Sequence, residues 1–124
     1  MKLNEIYTDF RGKIMTLTED MSFPEVTIFT TKAGVARGGC IHSKNDEYTC
    51  VIEGEVEYVI GEEKIKLLVG ENALIPKNTA HYYTSLTDSI VLEWGATPAE
   101  KQTKHIEFRK IVDQINKDCD VGKK

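Results

Sequence analysis

The chain has 124 residues, of which 40% are hydrophobic and 29% charged, as is usual for one soluble globular domain. Its formal net charge of -4 offers no strongly basic surface, so no nucleic-acid partner is expected. No apolar run approaches the roughly 20 residues that span a bilayer, and the first ten residues lack the apolar centre of a signal peptide, so no membrane partner is expected.

The middle of the chain has the pattern of many short β-strands separated by turns. β-Branched residues alternate, and glycine, asparagine and aspartate punctuate the runs. Such a pattern favours a sandwich or barrel over βαβ units. Strands are predicted over residues 25–31, 35–42, 47–52, 55–60, 64–69, 72–75, 81–85 and 89–94.

The end of the chain has the pattern of an amphipathic helix over residues 105–119, and Gly122 is a plausible stop beyond it. We expect its apolar stripe to cover the outside of the chain's own sheet; packing across a dimer interface is the alternative. Residues 98–124 are thus predicted to be a C-terminal helical extension of a β-barrel domain that spans residues 1–97. The stripe consists of Phe108, Ile111, Val112, Ile115 and Cys119.

Three potential metal ligands lie close together at the end of one predicted strand and the start of the next. Strand side chains alternate between faces, so Cys40 and His42 point to the same side. A turn then brings the chain back to Glu47. By the same alternation, His81 and Tyr83 share a face. Two imidazoles and a carboxylate with open positions would suit a divalent Fe, Mn, Ni, Zn or Co ion.

Each of these residues also has a simpler interpretation. A lone histidine on a strand is more often a hydrogen-bonded barrel residue than a ligand. Cys40 is open between two interpretations: a thiolate that serves as fourth ligand, or a small apolar wall residue. His42, Glu47 and His81 fall in one register with Gly54, Gly70 and Pro76 in the two motifs described next, which favours a metal site over unrelated residues.

Two motifs carry a resemblance to the cupin superfamily. The first is Cys40-Ile41-His42 with Glu47 and Gly54, and the second is Gly70, Pro76, Asn78 and His81. The chain departs from the family pattern at Cys40, where a histidine is expected, and at Asn78, where a glycine is usual. The resemblance implies an all-β fold, a cupin jelly-roll β-barrel with a C-terminal amphipathic helix. It also implies that His81 faces the same cavity as His42 and Glu47. These three residues would then hold one divalent transition metal, and whether Cys40 is a fourth ligand stays open.

A finer resemblance concerns two segments outside the ligand motifs. Asp9-Phe10-Arg11-Gly12 and Arg37-Gly38-Gly39 are similar to segments of cupins that act on nucleotide-linked sugars, among them epimerases and ketoisomerases. In those members a histidine at or near the position of Cys40 transfers protons beside a ketone. An unperturbed thiol titrates near pH ~8.5 and is a poor substitute for a base tuned near neutrality, so that role is not assigned to Cys40.

Five further residues are candidates to contact a ligand: Tyr83, Tyr58, Arg37, Glu93 and Trp94. Tyr83 is the best of them, because it shares the face of His81. Arg37 has the wrong parity relative to Cys40 and is predicted to be an exposed strand charge, unless Gly38-Gly39 forms a bulge. His105 is given no role.

These observations predict a metal-binding cupin that acts on a small polar metabolite such as a sugar or sugar nucleotide. The reaction would be isomerase-like, epimerase-like or dioxygenase-like, with Tyr83 as the acid or hydrogen-bond donor. The alternative is a non-catalytic module that binds a small molecule. Small cupins are commonly homodimers, and three scattered cysteines fit a reducing cytoplasm better than a disulfide framework.

Overall fold

The computed structural model describes residues 3–17, 26–97 and 99–119. A short 3₁₀ turn, Glu100–Gln102, precedes the helix α1, Ile106–Asp118. The strands are β1 Asn4–Asp9, β2 Gly12–Thr16, β3 Thr27–Thr31, β4 Ala36–Cys40, β5 Glu47–Glu53, β6 Val56–Ile60, β7 Glu63–Leu67, β8 Asn72–Ile75, β9 His81–Ser85 and β10 Ser89–Trp94.

The predicted strands are all present as β3 to β10, with ends that move by at most two residues. Two strands, β1 and β2, were not predicted. β1 is an edge strand, and its apolar residues Ile6 and Tyr7 are 40% and 51% exposed. Since little of β1 is buried, its sequence does not have to alternate, and the usual signal for a strand is missing.

The strands form two antiparallel sheets that enclose the apolar core. One sheet has the order β1-β2-β3-β10-β5-β8, and the other has the order β4-β9-β6-β7. Inward side chains from both sheets meet between them, and they include Phe29, Val51, Val91, Tyr58 and Tyr83. The predicted all-β architecture is therefore confirmed.

Helix α1 packs on the edge strand β4 of its own chain. Asn116 receives a hydrogen bond from the Ala36 backbone N–H at 2.7 Å and donates one to the Ala36 carbonyl at 3.0 Å. Val112 is buried in the contact, whereas Ile111 is 41% exposed, so the apolar stripe is narrower than predicted. The predicted Gly122 stop lies outside the described residues. Among those residues, no helix is long and apolar enough to cross a membrane.

The segment between β10 and α1 runs along the free edge of β4. The Ile41 N–H donates to the Thr103 carbonyl at 3.0 Å, and the His105 N–H donates to the Gly39 carbonyl at 2.8 Å. Gly39 has a φ of +78°, and a Cβ added there would lie 2.8 Å from the Arg109 Cα. This glycine therefore permits the close approach of α1, which places the C-terminal residues beside the metal motifs.

Candidate metal centre

The structure brings together the two histidines and the glutamate of the motifs. His42 follows β4, Glu47 begins β5 and His81 begins β9. Each offers one ligand atom, and these atoms all lie within 4.8 Å of one another. His42 Nε2 is 3.4 Å from Glu47 Oε1, and His81 Nε2 is 4.0 Å from the same oxygen. All three side chains are buried.

Backbone carbonyls orient both imidazole rings. His42 Nδ1 lies 3.0 Å from the Asn45 carbonyl, and His81 Nδ1 lies 3.0 Å from the Thr79 carbonyl. A carbonyl only accepts hydrogen bonds, so Nδ1 must carry the proton in each ring. The two Nε2 lone pairs are therefore turned towards Glu47, in the tautomer that ligates metals through Nε2.

The turn before β9 also holds the first histidine in place. The Asn78 N–H donates to the His42 carbonyl at 2.7 Å. Asn78 has a φ of 64°, in the left-handed region that glycine prefers and asparagine tolerates. This conformation explains why asparagine can stand at a position where a glycine is usual.

Two polar atoms that face each other in the cluster, His42 Nε2 and Glu47 Oε1, are buried without a hydrogen-bond partner. Buried polar atoms are nearly always satisfied, so these two acceptors indicate a site for a cation. Imidazole nitrogen and carboxylate oxygen are suitable ligands for a divalent transition metal. The residues present therefore fit the metal that the sequence predicts.

A lysine from the 3₁₀ turn enters this cluster. Lys101 Nζ lies 2.8 Å from Glu47 Oε2 and 2.8 Å from Glu93 Oε1. The ammonium therefore pairs with both carboxylates and donates a hydrogen bond to Glu93. Burial lowers the pKa of Lys101, but the two carboxylates more than reverse this effect and hold the pKa above its usual value.

A chain of hydrogen bonds extends from this lysine into the core. The Tyr58 hydroxyl donates to Glu93 Oε2 at 2.6 Å and lies 2.7 Å from Thr49 Oγ1. Tyr58 is fully buried, and burial is the main reason why its pKa lies well above the usual value. Tyr58 therefore remains a hydroxyl that holds the Glu93 carboxylate in place.

Glu100, the neighbour of Lys101 in the 3₁₀ turn, connects this turn to the loop that follows His42. Its carboxylate accepts hydrogen bonds from the backbone and side-chain amides of Asn45 at 3.1 and 2.8 Å, and from the Thr97 N–H at 2.8 Å. Burial acts to raise the pKa of Glu100, but these hydrogen bonds outweigh it and lower the pKa to about 2. Because Asn45 also binds the His42 ring, Glu100 is a positioning residue for the centre.

The ionisation of the three ligands follows from their surroundings. Burial lowers the pKa of His42, but the Glu47 carboxylate more than compensates and raises it. Burial acts to raise the pKa of Glu47, yet the charges of Lys101 and His42 lower it. Burial lowers the pKa of His81. Glu47 is thus an anion and His81 a neutral ligand near neutral pH.

Cys40 lies at the edge of the centre. Its Sγ is 3.6 Å from His81 Nε2, but Cys40 is not part of the set whose ligand atoms all lie within 4.8 Å. Burial and then the charge of Glu93 raise the pKa of Cys40 to about 12. Without a bound metal the group is therefore a thiol. Its role as a fourth ligand stays a prediction.

A cavity of about 410 Å³ opens beside the centre. Cys40, His81, Tyr83, Glu93 and Lys101 contribute to its lining. Tyr83 lines it together with His81, as expected from their spacing. The Tyr83 hydroxyl lies 2.8 Å from Thr31 Oγ1, and burial raises its pKa, so that it remains protonated.

For Arg37 the exception named with the prediction applies, and for Trp94 the expectation of a ligand contact is wrong. Arg37 is only 4% exposed and lines the cavity, because the pairing of β4 with β9 shifts register between Gly38 and Cys40. That bulge changes the parity from which an exposed charge was predicted. Trp94 is 38% exposed and stacks on Tyr48 outside the cavity, with ring centroids 5.7 Å apart.

The sequence interpretation missed Lys101 and Arg109, which both line the cavity, and Glu100. Lys101 and Glu100 lie in a short segment between the last predicted strand and the predicted helix. Arg109 lies on the helix. His105, which was given no role, caps that helix by accepting a hydrogen bond from the Phe108 N–H at 3.2 Å.

The fold and the buried centre define a small jelly-roll barrel with a two-histidine, one-carboxylate cluster inside it. The Cupin domain family matches residues 28–96, which is more than half of the chain. The chain therefore belongs to the cupin family. The comparison with curated proteins gave no match.

Solved structures include several of the same fold. The capsular polysaccharide assembling protein CapF from Staphylococcus aureus is 21% identical, with a TM-score of 0.63 over 77% of this chain. The chain spans only 29% of the length of CapF. KdgF from Halomonas sp. is 18% identical with a TM-score of 0.64, and the match covers 77% of this chain and 86% of KdgF. An RmlC-like cupin from Desulfovibrio desulfuricans is 29% identical with a TM-score of 0.57, over 73% of this chain and 88% of that protein.

Proposed function

We propose that this cupin binds one divalent transition metal through His42, Glu47 and His81. The observation that carries the proposal is the cluster of three buried ligand atoms, in which His42 Nε2 and Glu47 Oε1 have no hydrogen-bond partner. Three protein ligands would leave coordination positions for Cys40, water or a substrate. The ion itself is Fe, Mn, Ni, Zn or Co, which share this ligand chemistry.

We propose further that the protein is an enzyme for a small polar metabolite, such as a sugar or sugar nucleotide. The cavity beside the centre supports this proposal, because it is large enough for a sugar and is lined by polar as well as apolar side chains. The similarity to a capsular polysaccharide assembling protein favours a carbohydrate. A bound metal would supply Lewis-acid polarisation of a carbonyl or hydroxyl group.

The roles of the surrounding residues follow from their ionisation. Tyr83 keeps its proton, so it would donate a hydrogen bond to the substrate and not act as a base. Lys101 would hold the Glu93 and Glu47 carboxylates in position. Isomerase-like or epimerase-like chemistry fits a metal beside a fixed donor, and dioxygenase-like chemistry is a second version of the same site.

The first test is the metal content of the purified protein and of three histidine variants. We expect one metal per chain in the wild type, and loss of the metal in His42→Ala and His81→Ala. His105→Ala is the matched control, because this histidine caps α1 away from the ligand cluster. No metal after reconstitution with each of the five ions, or equal metal in all variants, would refute the metal site.

The second test separates an enzyme from a binding module. The metal-loaded protein is incubated with a panel of sugars and sugar nucleotides in D₂O and followed by NMR, with oxygen uptake measured in parallel. Isomerase or epimerase chemistry exchanges a carbon-bound proton for deuterium, and dioxygenase chemistry consumes oxygen. Saturable binding without deuterium exchange or oxygen uptake would favour the non-catalytic module. The ion pair between Lys101 and Glu47 supports that alternative, because it engages one carboxylate oxygen of a proposed metal ligand.

We also propose that the protein is a homodimer. An apolar group on the outer face of the larger sheet supports this, since Tyr48, Leu74 and Trp94 are neighbours on three adjacent strands and all are at least 38% exposed. Light scattering should give twice the mass of one chain. A Trp94→Lys variant should shift the protein towards monomer, and a monomeric wild type would contradict the proposal.

A further inference from the structure

One arginine in the cavity has a guanidinium nitrogen without a partner. Arg37 is 4% exposed. Its Nε donates to Thr31 Oγ1 at 2.9 Å, and its Nη2 donates to the Thr30 carbonyl at 3.1 Å. Its Nη1 is buried and has no hydrogen-bond partner. Leaving a buried charged donor unsatisfied is costly, so this nitrogen is a strong candidate for a ligand contact.

The charge of Arg37 is also unbalanced. Among the described residues, no carboxylate forms an ion pair with it. Asp9 is near enough to influence its pKa, but the Asp9 carboxylate is already paired with Arg11 at 2.8 Å. Lys101, in contrast, lies between two carboxylates. A buried cation without a counterion is unfavourable, and binding an anion would remove that cost.

The protein holds Arg37 rigidly in this position. The bulge at Gly38 and Gly39 turns the side chain inward, and Phe29 lies below the guanidinium with 5.8 Å between Cζ and the ring centroid. The Thr31 hydroxyl that accepts from Nε also contacts the Tyr83 hydroxyl. Contacts on both sides therefore fix the guanidinium before any ligand arrives, which reduces the entropy cost of binding.

A second arginine reaches the same cavity from the helix. Arg109 lines the cavity, and its Nε is buried without a hydrogen-bond partner. No carboxylate in the part of the chain that the structure describes is paired with it. Gly39 allows the helix to approach closely enough for this, because a Cβ there would meet the Arg109 Cα at 2.8 Å.

We propose that the cavity binds the anionic group of its small ligand, a carboxylate or a phosphate, with Arg37 Nη1 as the first contact and Arg109 as the second. Guanidinium groups form strong, directional hydrogen bonds with both kinds of oxyanion. Neutral ligands of similar shape are disfavoured, because they leave the buried donor unpaired. This inference deepens the proposed function, because it assigns a negative charge to the substrate. It rests on the proposed function in one respect, the placement of the ligand in this cavity.

The test compares three ligands that share one sugar ring: glucose, glucuronate and glucose 6-phosphate. Binding is measured by calorimetry on the metal-loaded protein and again after treatment with a chelator. We expect at least one of the two anions to bind about tenfold more tightly than glucose, as for a charge-assisted hydrogen bond. Preference between glucuronate and glucose 6-phosphate then identifies the anion.

Three variants locate the binding. Arg37→Met should weaken binding of the preferred anion by at least about tenfold and leave glucose unchanged. Arg109→Met should also weaken it, and this half-buried helix residue provides a second variant if Arg37→Met does not fold. Lys66→Met is the matched control, because it removes the same charge from an exposed pair on β7 with 3.4 Å between Lys66 and Glu55.

The outcomes separate this inference from the metal proposal. Equal binding of all three ligands, or unchanged anion binding in both arginine variants, would overturn the anion site even if the metal is present. His81→Ala should lose the metal but keep the preference for the anion over glucose. That result would support the anion site whatever the fate of the metal site.

Discussion

Lys101 Nζ lies 2.8 Å from Glu47 Oε2, so a residue from the segment after the barrel contacts a proposed metal ligand directly. The ammonium and a metal ion would both be attracted to the same carboxylate. Glu47 Oε1 remains on the side of the two histidines, at 3.4 Å from His42 Nε2. The lysine is therefore positioned to tune the affinity of the centre through the charge of Glu47.

Replacement of this lysine should strengthen metal binding while it destabilises the metal-free protein. In Lys101→Met the Glu47 and Glu93 carboxylates lose their shared cation, and breaking such a buried pair typically costs about 3–5 kcal/mol. The freed carboxylate should bind a divalent ion more tightly. Calorimetric titration with Zn²⁺ should show at least about a tenfold lower Kd, or roughly 1.4 kcal/mol.

The matched control is Lys64→Met, which removes an exposed lysine whose contact with Glu57 is 3.9 Å long. This change should leave both the Zn²⁺ affinity and the free energy of unfolding within about 0.5 kcal/mol of wild type. Unchanged or weaker Zn²⁺ binding in Lys101→Met would show that the lysine does not compete for Glu47.

Loss of the Tyr58 hydroxyl should destabilise the protein without emptying the core. Tyr58→Phe keeps the ring but removes the hydrogen bonds to Glu93 and Thr49, and a buried polar group left without a partner costs about 1–3 kcal/mol. Urea denaturation measures this loss. Tyr48→Phe is the control, since Tyr48 is 44% exposed and should change stability little. Equal effects of the two changes would contradict the buried network.

Acid should remove the stabilisation that Glu100 provides. Its pKa is about 2 in the folded protein and 4.5 for the unperturbed group. Because the folded pKa is the lower one, the carboxylate stabilises the fold fully above pH 4.5, and this contribution is lost as the pH falls from 4.5 towards 2. The difference in unfolding free energy between wild type and Glu100→Gln should therefore shrink over that range.

The control for this pH series is Glu62→Gln. Glu62 is exposed and has no side-chain hydrogen bond or ion pair among the described residues, so its removal should not reproduce the trend. If the difference in unfolding free energy between wild type and Glu100→Gln were constant with pH, or grew in acid, the Glu100 carboxylate would not stabilise the loop after His42 as proposed.

Two glycine substitutions measure how closely the helix approaches β4. Gly70→Ala places a Cβ in open space at a φ of +85°, so it should cost only the strain of the left-handed conformation, about 1–2 kcal/mol. Gly39→Ala has a similar φ but meets the Arg109 Cα, and overpacking should add about 1–3 kcal/mol. If the two variants lost equal free energy of unfolding in urea denaturation, the added Cβ at position 39 would displace α1 at no measurable cost.

The strands could be predicted where each buries one face. In β9, for example, His81 and Tyr83 are buried while Tyr82 is half-buried, so the two-residue period is visible in the sequence. Glu47 could be placed beside His42 because a strand end and a short turn fix neighbours locally, whereas only the resemblance to cupins placed His81 in the same cavity. β1 lacks such a period because most of its residues are exposed.

Arg37 and Lys101 could not be placed from sequence for two different physical reasons. A single bulge at Gly38 reverses parity, and two consecutive glycines indicate only that a bulge is permitted. Lys101 lies 54 positions after Glu47 in the chain, in a turn without periodicity. Its contact depends on how the segment after β10 follows the edge of β4, which is a tertiary property.

The segment beyond β10 is joined to the edge of β4 by hydrogen bonds from Ile41 to Thr103 and from His105 to Gly39, and this attachment affects how the protein is compared with its relatives. The family match ends at residue 96, before Lys101 and Arg109. An alignment confined to residues 28–96 would score the three proposed ligands but omit three of the four cationic residues that line the cavity, namely Arg11, Lys101 and Arg109. Differences in ligand choice among such barrels should therefore also be sought outside the matched residues, and here in the C-terminal segment that covers the edge of β4.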